Sequence, residues 1–368
     1  MKIVFNTAAL ISKIKNIAPT SEAKQTLVIL GNMLVRVSNG FAEFTASDLE
    51  IEIMSKVKCE ADTDVEFTIP AKKFLEVCNA LSSHDEIEVF VTENKADVKA
   101  GKSKVSLPTL PADDFPIMSF EKTENKTEIT TLQLMNLINK TSFAMAYQDA
   151  RHFLNGLHLC SENGKLISVC TDGHRLAKYQ SDTSYMDELS IIIPRKAIIE
   201  INRILASFNN NKDDLIEFTI SNNAVQLYIN EYHVTSKLIE GNYPNFNKVI
   251  PSDTKSKISV DKATFKNSLN IISKVVNQQY KGVKLTPNKT ALHLITSNTE
   301  SEIGEDEIEA TYDGDDMSIG FNISYIQDVI DVLDSNSVDI CINDQNSGCI
   351  LLGPSDPNSI FVIMPMRV

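Results

Sequence analysis

Glu162-Asn163-Gly164-Lys165-Leu166-Ile167-Ser168-Val169-Cys170-Thr171-Asp172-Gly173-His174-Arg175-Leu176-Ala177 carries two signals in one run. Asn-Gly between apolar strands reads as a tight hairpin turn, because that turn needs positive φ at both central residues. The second strand, Leu166–Cys170, then stops at Thr171-Asp172. A hydroxyl followed by Asp or Asn is a turning device, since these side chains hydrogen-bond nearby backbone. Asp172 so close to His174 also invites a catalytic reading. Other copies of the stretch decide between the two.

Copies exist, at a period of roughly 125 residues, and repetition of that kind sets the architecture. The first copy has strands Met33–Val37 and Ala42–Thr45 around Ser38-Asn39-Gly40, and the third has Val283–Leu285 and Ala291–Ile295 around Pro287-Asn288-Lys289. Ser47-Asp48 and Ser297-Asn298 stand where Thr171-Asp172 stands. Each copy opens with a short strand, a capping residue and a helix: Ile3–Phe5, Asn6 and Leu10; Glu128–Thr130, capped by Thr130, and Leu134; Ile258–Val260, Asp261 and Phe265. The helices bury one stripe at 3.6 spacing, such as Leu10, Ile14, Ile17 and Phe265, Leu269, Ile272, Val276. A second strand and helix follow: Phe67–Pro70 into Lys72–Leu81, Ile191–Pro194 into Lys196–Leu205, and Ile319–Asn322 into Ser324–Leu333. Then come strands Ile87–Val91, Ile216–Ile220 and Val338–Ile342. Each copy is thus an α+β domain of two helices and about eight strands. Polar stretches near Glu121–Lys126 and Pro251–Lys255 suggest domains at 1–125, 126–252 and 253–368. No Gly-rich βα turn supports a doubly wound nucleotide fold.

Composition is that of a globular protein, 42% hydrophobic and 23% charged. No apolar run approaches the ~18 residues that span a bilayer, and Met1–Asn6 turns polar too soon for a signal peptide. A cytoplasmic protein with no membrane partner is the expectation. The six Cys lack ligand spacing, so buried reduced thiols and no metal are expected.

The net charge of −14 argues against nucleic acid unless the charge is segregated. It is segregated. Lys13, Lys15, Lys72, Lys73, Lys140, Arg195, Lys196, Arg203, Lys262, Lys266 and Lys274 sit on or beside the expected helices. In the first helix Lys13 and Lys15 have no acidic companion, and Lys140 stands alone. Only the last helix, with Asp328, Asp331 and Asp334, is acidic; the acidic excess lies in Glu300–Glu309 and Asp313–Asp316. Helices facing one way would form a weakly basic face that attracts phosphates without reading bases.

Because Thr171-Asp172 has counterparts in the other copies, Asp172 reads as structural rather than catalytic. Gly173, His174 and Arg175 have no counterparts and are the special residues of the second copy. Gly-x-Ser-x-Gly, His-Glu-x-x-His and Walker A patterns are missing, so catalysis and a cofactor are not expected. The apolar ending Ile360–Val368 contains Met364-Pro365-Met366, which cannot continue a ladder. It is either a frayed edge strand or one wall of an apolar groove for a peptide.

Thr171–Ala177 together with Val362-Ile363-Met364-Pro365-Met366-Arg367-Val368 closely resembles the bacterial DNA polymerase III beta-subunit family, the sliding clamps. Further matches are Ile29–Asn32, Thr109–Pro111 with Asp114–Pro116, Leu154–Gly156, and Gly320–Asn322 with Ser324-Tyr325. The resemblance implies three repeated clamp domains, with helices lining a ring interior and antiparallel sheets outside. It implies a homodimeric ring that encircles double-stranded DNA and tethers the polymerase III alpha subunit, an ATP-driven clamp loader and other clamp-binding peptides. The implied peptide pocket comprises Leu154, Thr171, Gly173, His174, Arg175, Leu176, Pro244, Lys248, Val249, Asn322, Tyr325, Val362, Met364, Pro365, Met366 and Arg367. Implied DNA contacts are Lys24, Lys72, Gln148, His152 and Phe153; the implied dimer interface uses Val105, Leu107 and Val275. The chain departs from the family at several of these. Lys stands for Arg at 24, 72 and 248, His152-Phe153 for a Tyr pair, Val368 for a terminal Leu, and Lys274 for an apolar interface residue.

Two other classes compete: a hydrolase or transferase using Asp172 and His174, and a repeat-built scaffold that binds only protein. Turnover after His174→Ala separates the first from a clamp, and retention on circular DNA separates the second.

Overall fold

The computed structural model describes residues 1–21, 27–120, 126–185, 188–207, 213–277 and 279–367. The first repeat runs β1 (Lys2–Asn6), α1 (Thr7–Ile17), β2 (Asn32–Ser38), β3 (Phe41–Ser47), β4 (Ile51–Ala61), β5 (Val65–Pro70), α2 (Ala71–Ala80), β6 (Glu86–Val91), β7 (Lys95–Ala100) and β8 (Ser103–Pro108). The second keeps that order: β9 (Lys126–Thr130), α3 (Thr131–Asn139), β10 (Gly156–Glu162), β11 (Lys165–Thr171), β12 (Arg175–Ser184), β13 (Ser190–Pro194), α4 (Arg195–Ala206), β14 (Leu215–Ile220), β15 (Ala224–Ile229) and β16 (Tyr232–Lys237). So does the third: β17 (Ser256–Asp261), α5 (Lys262–Ile272), β18 (Gly282–Pro287), β19 (Ala291–Ser297), β20 (Ile303–Tyr312), β21 (Ile319–Asn322), α6 (Ile323–Val332), β22 (Ser337–Ile342), β23 (Cys349–Gly353) and β24 (Asp356–Ile363).

Local chemistry explains the boundaries. Asn6 and Asp261 cap α1 and α5, their side-chain oxygens accepting from the N–H groups of Ala9 at 3.0 Å and Thr264 at 2.8 Å. Asn39-Gly40 and Asn163-Gly164 hold positive φ at both positions, as a two-residue hairpin turn of this hand requires. The turn after the second hairpin strand is the same device three times. Asp48 Oδ1 accepts from the N–H groups of Glu50 and Ile51, Asp172 Oδ1 from those of His174 and Arg175, and Asn298 Oδ1 from those of Glu300 and Glu302. Backbone counterparts of Gly173-His174-Arg175 therefore exist in Leu49-Glu50-Ile51, and only the side chains are special to the second copy. Leu49 even shares the positive φ of Gly173.

The helix stripes are buried as their spacing requires. Leu10, Ile14 and Ile17 are fully buried, each contributing about 2 kcal/mol of gross burial. Phe44 stacks on Phe74 of α2 and meets Phe5 of β1 at a tilt, with ring centroids 6.3 and 5.9 Å apart. All six cysteines are buried free thiols. Burial alone pushes Cys78 up to about 12 and is the main cause of the same rise at Cys160, Cys170 and Cys349.

The chain forms two compact units, Met1–Leu132 with Lys196–Leu238, and Gln133–Arg195 with Ile239–Val368. They are not the three repeats, because the middle repeat contributes strands to both. In one unit, β16 lies antiparallel on β4, which joins β9 and β14–β16 to the first repeat's sheet. In the other, β12 lies antiparallel on β24, which joins β10–β13 to the third repeat's sheet.

Candidate functional site

A cleft of about 280 Å³ opens where β12 meets β24. The turn before β10 supplies Phe153 and Leu154, the turn between β11 and β12 supplies Thr171, Gly173 and His174, and β12 supplies Arg175 and Leu176. Pro244 and Val249 come from the segment after β16, Val362 from β24 and Met364 from the tail just after it. The β11–β12 turn is held rigidly. Thr171 Oγ1 donates to the Arg175 carbonyl at 2.6 Å and accepts from the Gly173 N–H at 3.1 Å. Gly173 has φ +90°, and a Cβ there would meet the Arg151 guanidinium at 3.0 Å. Beneath lies an apolar layer of Cys160, Ile167, Val169, Leu176, Phe246 and Val362. His158 stacks on Tyr243 beside it, centroids 4.5 Å apart, and desolvation pushes its imidazole down to about 4.

Arg175 is not the exposed group that its neighbourhood in the sequence suggests. Its side chain is only 12% exposed. The guanidinium donates to Asp172 Oδ2 at 3.1 Å, to the Phe143 carbonyl at 2.7 Å and to Asp328 Oδ2. The rings of Phe143 and Tyr325 lie 5.3 and 4.3 Å from it. Arg175 is thus a strut of the wall. Asp172 spends Oδ1 on backbone and Oδ2 on Arg175, so it does not orient His174 as a catalytic pair would require. The tail is anchored rather than frayed: the Met364 N–H donates to the His174 carbonyl and the Met366 N–H to the Gly320 carbonyl, both at 2.8 Å.

Ten of the residues assigned to the pocket by resemblance line this cleft: Leu154, Thr171, Gly173, His174, Arg175, Leu176, Pro244, Val249, Val362 and Met364. The others stand elsewhere. Lys248 is exposed at the end of a 3-10 turn, and Asn322 caps α6 by accepting from the Ser324 N–H at 3.0 Å. Tyr325 backs Arg175, and Met366 and Arg367 line a second cleft. Pro365 lies between the two anchored tail residues. The sequence reading missed Arg151, which lines the cleft while its guanidinium grips Asp149 and donates to the Asp172 carbonyl at 3.2 Å. Phe153, assigned to DNA by resemblance, also faces this cleft.

Of the other DNA positions, Lys24 lies outside the described residues. Lys72 is exposed on α2, and Gln148 and His152 are exposed on the loop before β10, Gln148 with φ +54°. The basic helices carry less free charge than their sequences suggest, because acidic partners arrive from turns and a helix far along the chain. Lys13 pairs with Glu231, Lys196 with Asp48, and Lys266 with Asp331. Lys140 is no surface group. It is buried against Asp356 at 2.6 Å and Asp334 at 2.7 Å, and donates to the Val332 carbonyl. Among the described residues no ion pair holds Lys15, Lys72 or Lys274. At the positions assigned to the dimer interface, Val105 is exposed and Val275 half-buried, but Leu107 is already buried within the single chain, so its side chain is not free surface.

Family models of the DNA polymerase III beta subunit match the chain in three successive segments: the N-terminal domain at residues 1–119, the central domain at 128–245 and the C-terminal domain at 247–367. The beta sliding clamp of Pseudomonas aeruginosa is 33% identical over 371 residues, and that of Escherichia coli 31% over 370, each covering 100% of both chains. A crystal structure of the Pseudomonas aeruginosa clamp bound to griselimycin superposes with a TM-score of 0.92 over 100% of both chains. The chain therefore belongs to the DNA polymerase III beta-subunit family, the non-catalytic sliding clamps that serve as processivity factors in DNA replication, with DNA and DNA polymerase III as their partners.

Proposed function

We propose that two copies of this chain close head to tail into a ring around duplex DNA, and that the cleft beside His174 takes short peptides of the polymerase III alpha subunit, of an ATP-driven loader and of other partners, in the cytoplasm. What carries the proposal is a repeated strand junction. β16, the last strand of the second repeat, lies on the first half of β4, and β24, the last of the third, on the first half of β12. β8 is the last strand of the first repeat, and β20 is the third-repeat counterpart of β4 and β12. Among the described residues, the outer edge of β8 has no strand partner, and neither does the first half of the β20 edge that β17 pairs only at 310–312. A second copy supplies each with the other. Carrying over the β16–β4 register sets Val105 opposite Gly304, Leu107 opposite Glu302 and Lys104 opposite Glu305 of that copy.

Such a ring holds DNA by enclosing it, so strong contacts are unnecessary. Lys24 and the exposed residues Lys72, Gln148 and His152 are proposed to touch phosphate. Phosphate attraction is independent of sequence and permits sliding. In the cleft, Leu154, Leu176, Val249, Val362 and Met364 offer apolar walls to leucine and aromatic anchors of a peptide. The test loads the protein on nicked circular DNA and then linearises the circle at high salt. Retention on the circle and loss from the line support the ring. Equal loss from both refutes it.

A further inference from the structure

Strand registers superpose the three repeats residue by residue. Asn32 pairs with Pro70, Gly156 with Pro194 and Gly282 with Asn322. Two residues on, Leu34 faces Thr45, His158 faces Val169 and Lys284 faces Ile295. Leu34, His158 and Lys284 are thus one position in three copies. So are Glu52, Leu176 and Ile303, which face Ser47, Thr171 and Ser297.

In the first two copies the chain fills the groove between these positions with its own linker. Phe115, only 5% exposed, packs against Ile29 and Leu34, and further on the Met118 N–H donates to Glu52 Oε2 at 2.9 Å. Tyr243 stacks on His158, and Phe246 packs on Val169 and Leu176. Each linker carries an aromatic–proline pair, Phe115-Pro116 and Tyr243-Pro244. In the third copy the same place is an open cleft of about 480 Å³. Lys284, Ile295 and Ile303 line it at the equivalent positions, with Tyr280 and Arg367 at its rim.

We propose that this third groove docks an extended acidic–aromatic–proline segment of another polypeptide, of the class that the chain lays into its own first two grooves. Ile303 and Tyr280 are 65% and 60% exposed and would be covered by an aromatic ring. Lys284, standing where Leu34 and His158 stand, adds a cation that favours the face of that ring. Together with Arg367 it also favours a carboxylate nearby, and the first linker carries Asp113-Asp114 just before Phe115. The filled grooves both lie beside strand junctions, so a strand from a second copy laid along β20 leaves this groove free. It is separate from the cleft beside His174, since Met364 lines that cleft and Met366 and Arg367 line this one.

The probe is a labelled peptide with the sequence Leu110–Met118, titrated with the full chain and followed by fluorescence anisotropy. Saturable binding is expected, weakened about tenfold by Lys284→Glu and by Phe→Ala in the peptide, and unchanged by His174→Ala. Lys284 is an exposed strand residue, and thermal melting checks that the variant folds. Methyl resonances of Ile295 and Ile303 should shift on addition of peptide. Absence of saturable binding, indifference to Lys284→Glu, or shifts confined to the cleft beside His174 overturn the proposal. A leucine-and-aromatic peptide run in parallel reports separately on the cleft beside His174.

Discussion

The Arg175 guanidinium holds Asp172, Asp328 and the Phe143 carbonyl between two aromatic rings. It shapes a binding wall by being fully engaged behind it. Asp328→Asn removes one anionic partner and loosens that wall without touching a ligand. Because Asp328 is partly exposed, the loss is about 1 kcal/mol. Peptide affinity at the cleft should fall about fivefold by anisotropy, with the melting temperature nearly unchanged. His158 gives a pH dependence. Its folded value is pushed down to about 4 from an ordinary 6.5. Between those values the unfolded chain binds more protons, so stability is present above pH 6.5 and is lost as pH falls toward 4. The full loss is about 3 kcal/mol. Urea titrations at pH 7 and pH 4.5 should show a smaller difference for His158→Phe than for the parent; equal differences would contradict the assignment. None of this was legible locally. The partners of Arg175 lie 3, 32 and 153 residues away, and a carboxylate that far along the chain leaves no mark on the motif itself.

Hairpins, capped helices and the hydroxyl–Asp turns were legible because each is set by a few adjacent residues, as Asn163-Gly164 and Asp261 show. The division of the middle repeat between two sheets was not, since strand periodicity says which face is buried but not which edge finds a partner. The junctions also differ in one bond. The Lys237 N–H donates to the Glu50 carbonyl and the Met364 N–H to the His174 carbonyl, each at 2.8 Å. The proposed third junction, between β8 and the second copy's β20, has Pro108 in that place, and proline has no N–H to give. Pro108→Ala should therefore tighten self-association by about 1 kcal/mol, read as a roughly fivefold lower dissociation constant in sedimentation at low concentration. Deleting Met364–Val368 removes the anchored tail but leaves β24 intact. Polymerase stimulation should vanish while sedimentation still reports a dimer; a monomer would make the tail a structural strand.

Across the whole molecule, the acidic excess and the basic helices partly neutralise each other through pairs such as Lys13–Glu231, which bridges 218 residues. In the proposed ring the carried-over register sets Lys104, which within its own chain pairs with Asp97 at 2.8 Å, opposite Glu305 of the other copy, which holds His293 in its own chain. Lys104→Glu should weaken the dimer, and adding Glu305→Lys should restore it. Failure of the double variant to recover would mean that the carried-over register is wrong.

The six buried thiols have a practical consequence. With every thiol buried and no thiolate at neutral pH among these shifted cysteines, the folded chain is silent to thiol-directed alkylating reagents and to disulfide exchange. A single cysteine placed on the outer edge of β8 or β20 becomes the reactive handle of an otherwise inert surface, with no native residue removed to clear the background. In the proposed ring, one cysteine on β8 together with one facing it on β20 would meet across each junction, so that an oxidant forms the disulfide and latches the ring and a thiol reductant releases it.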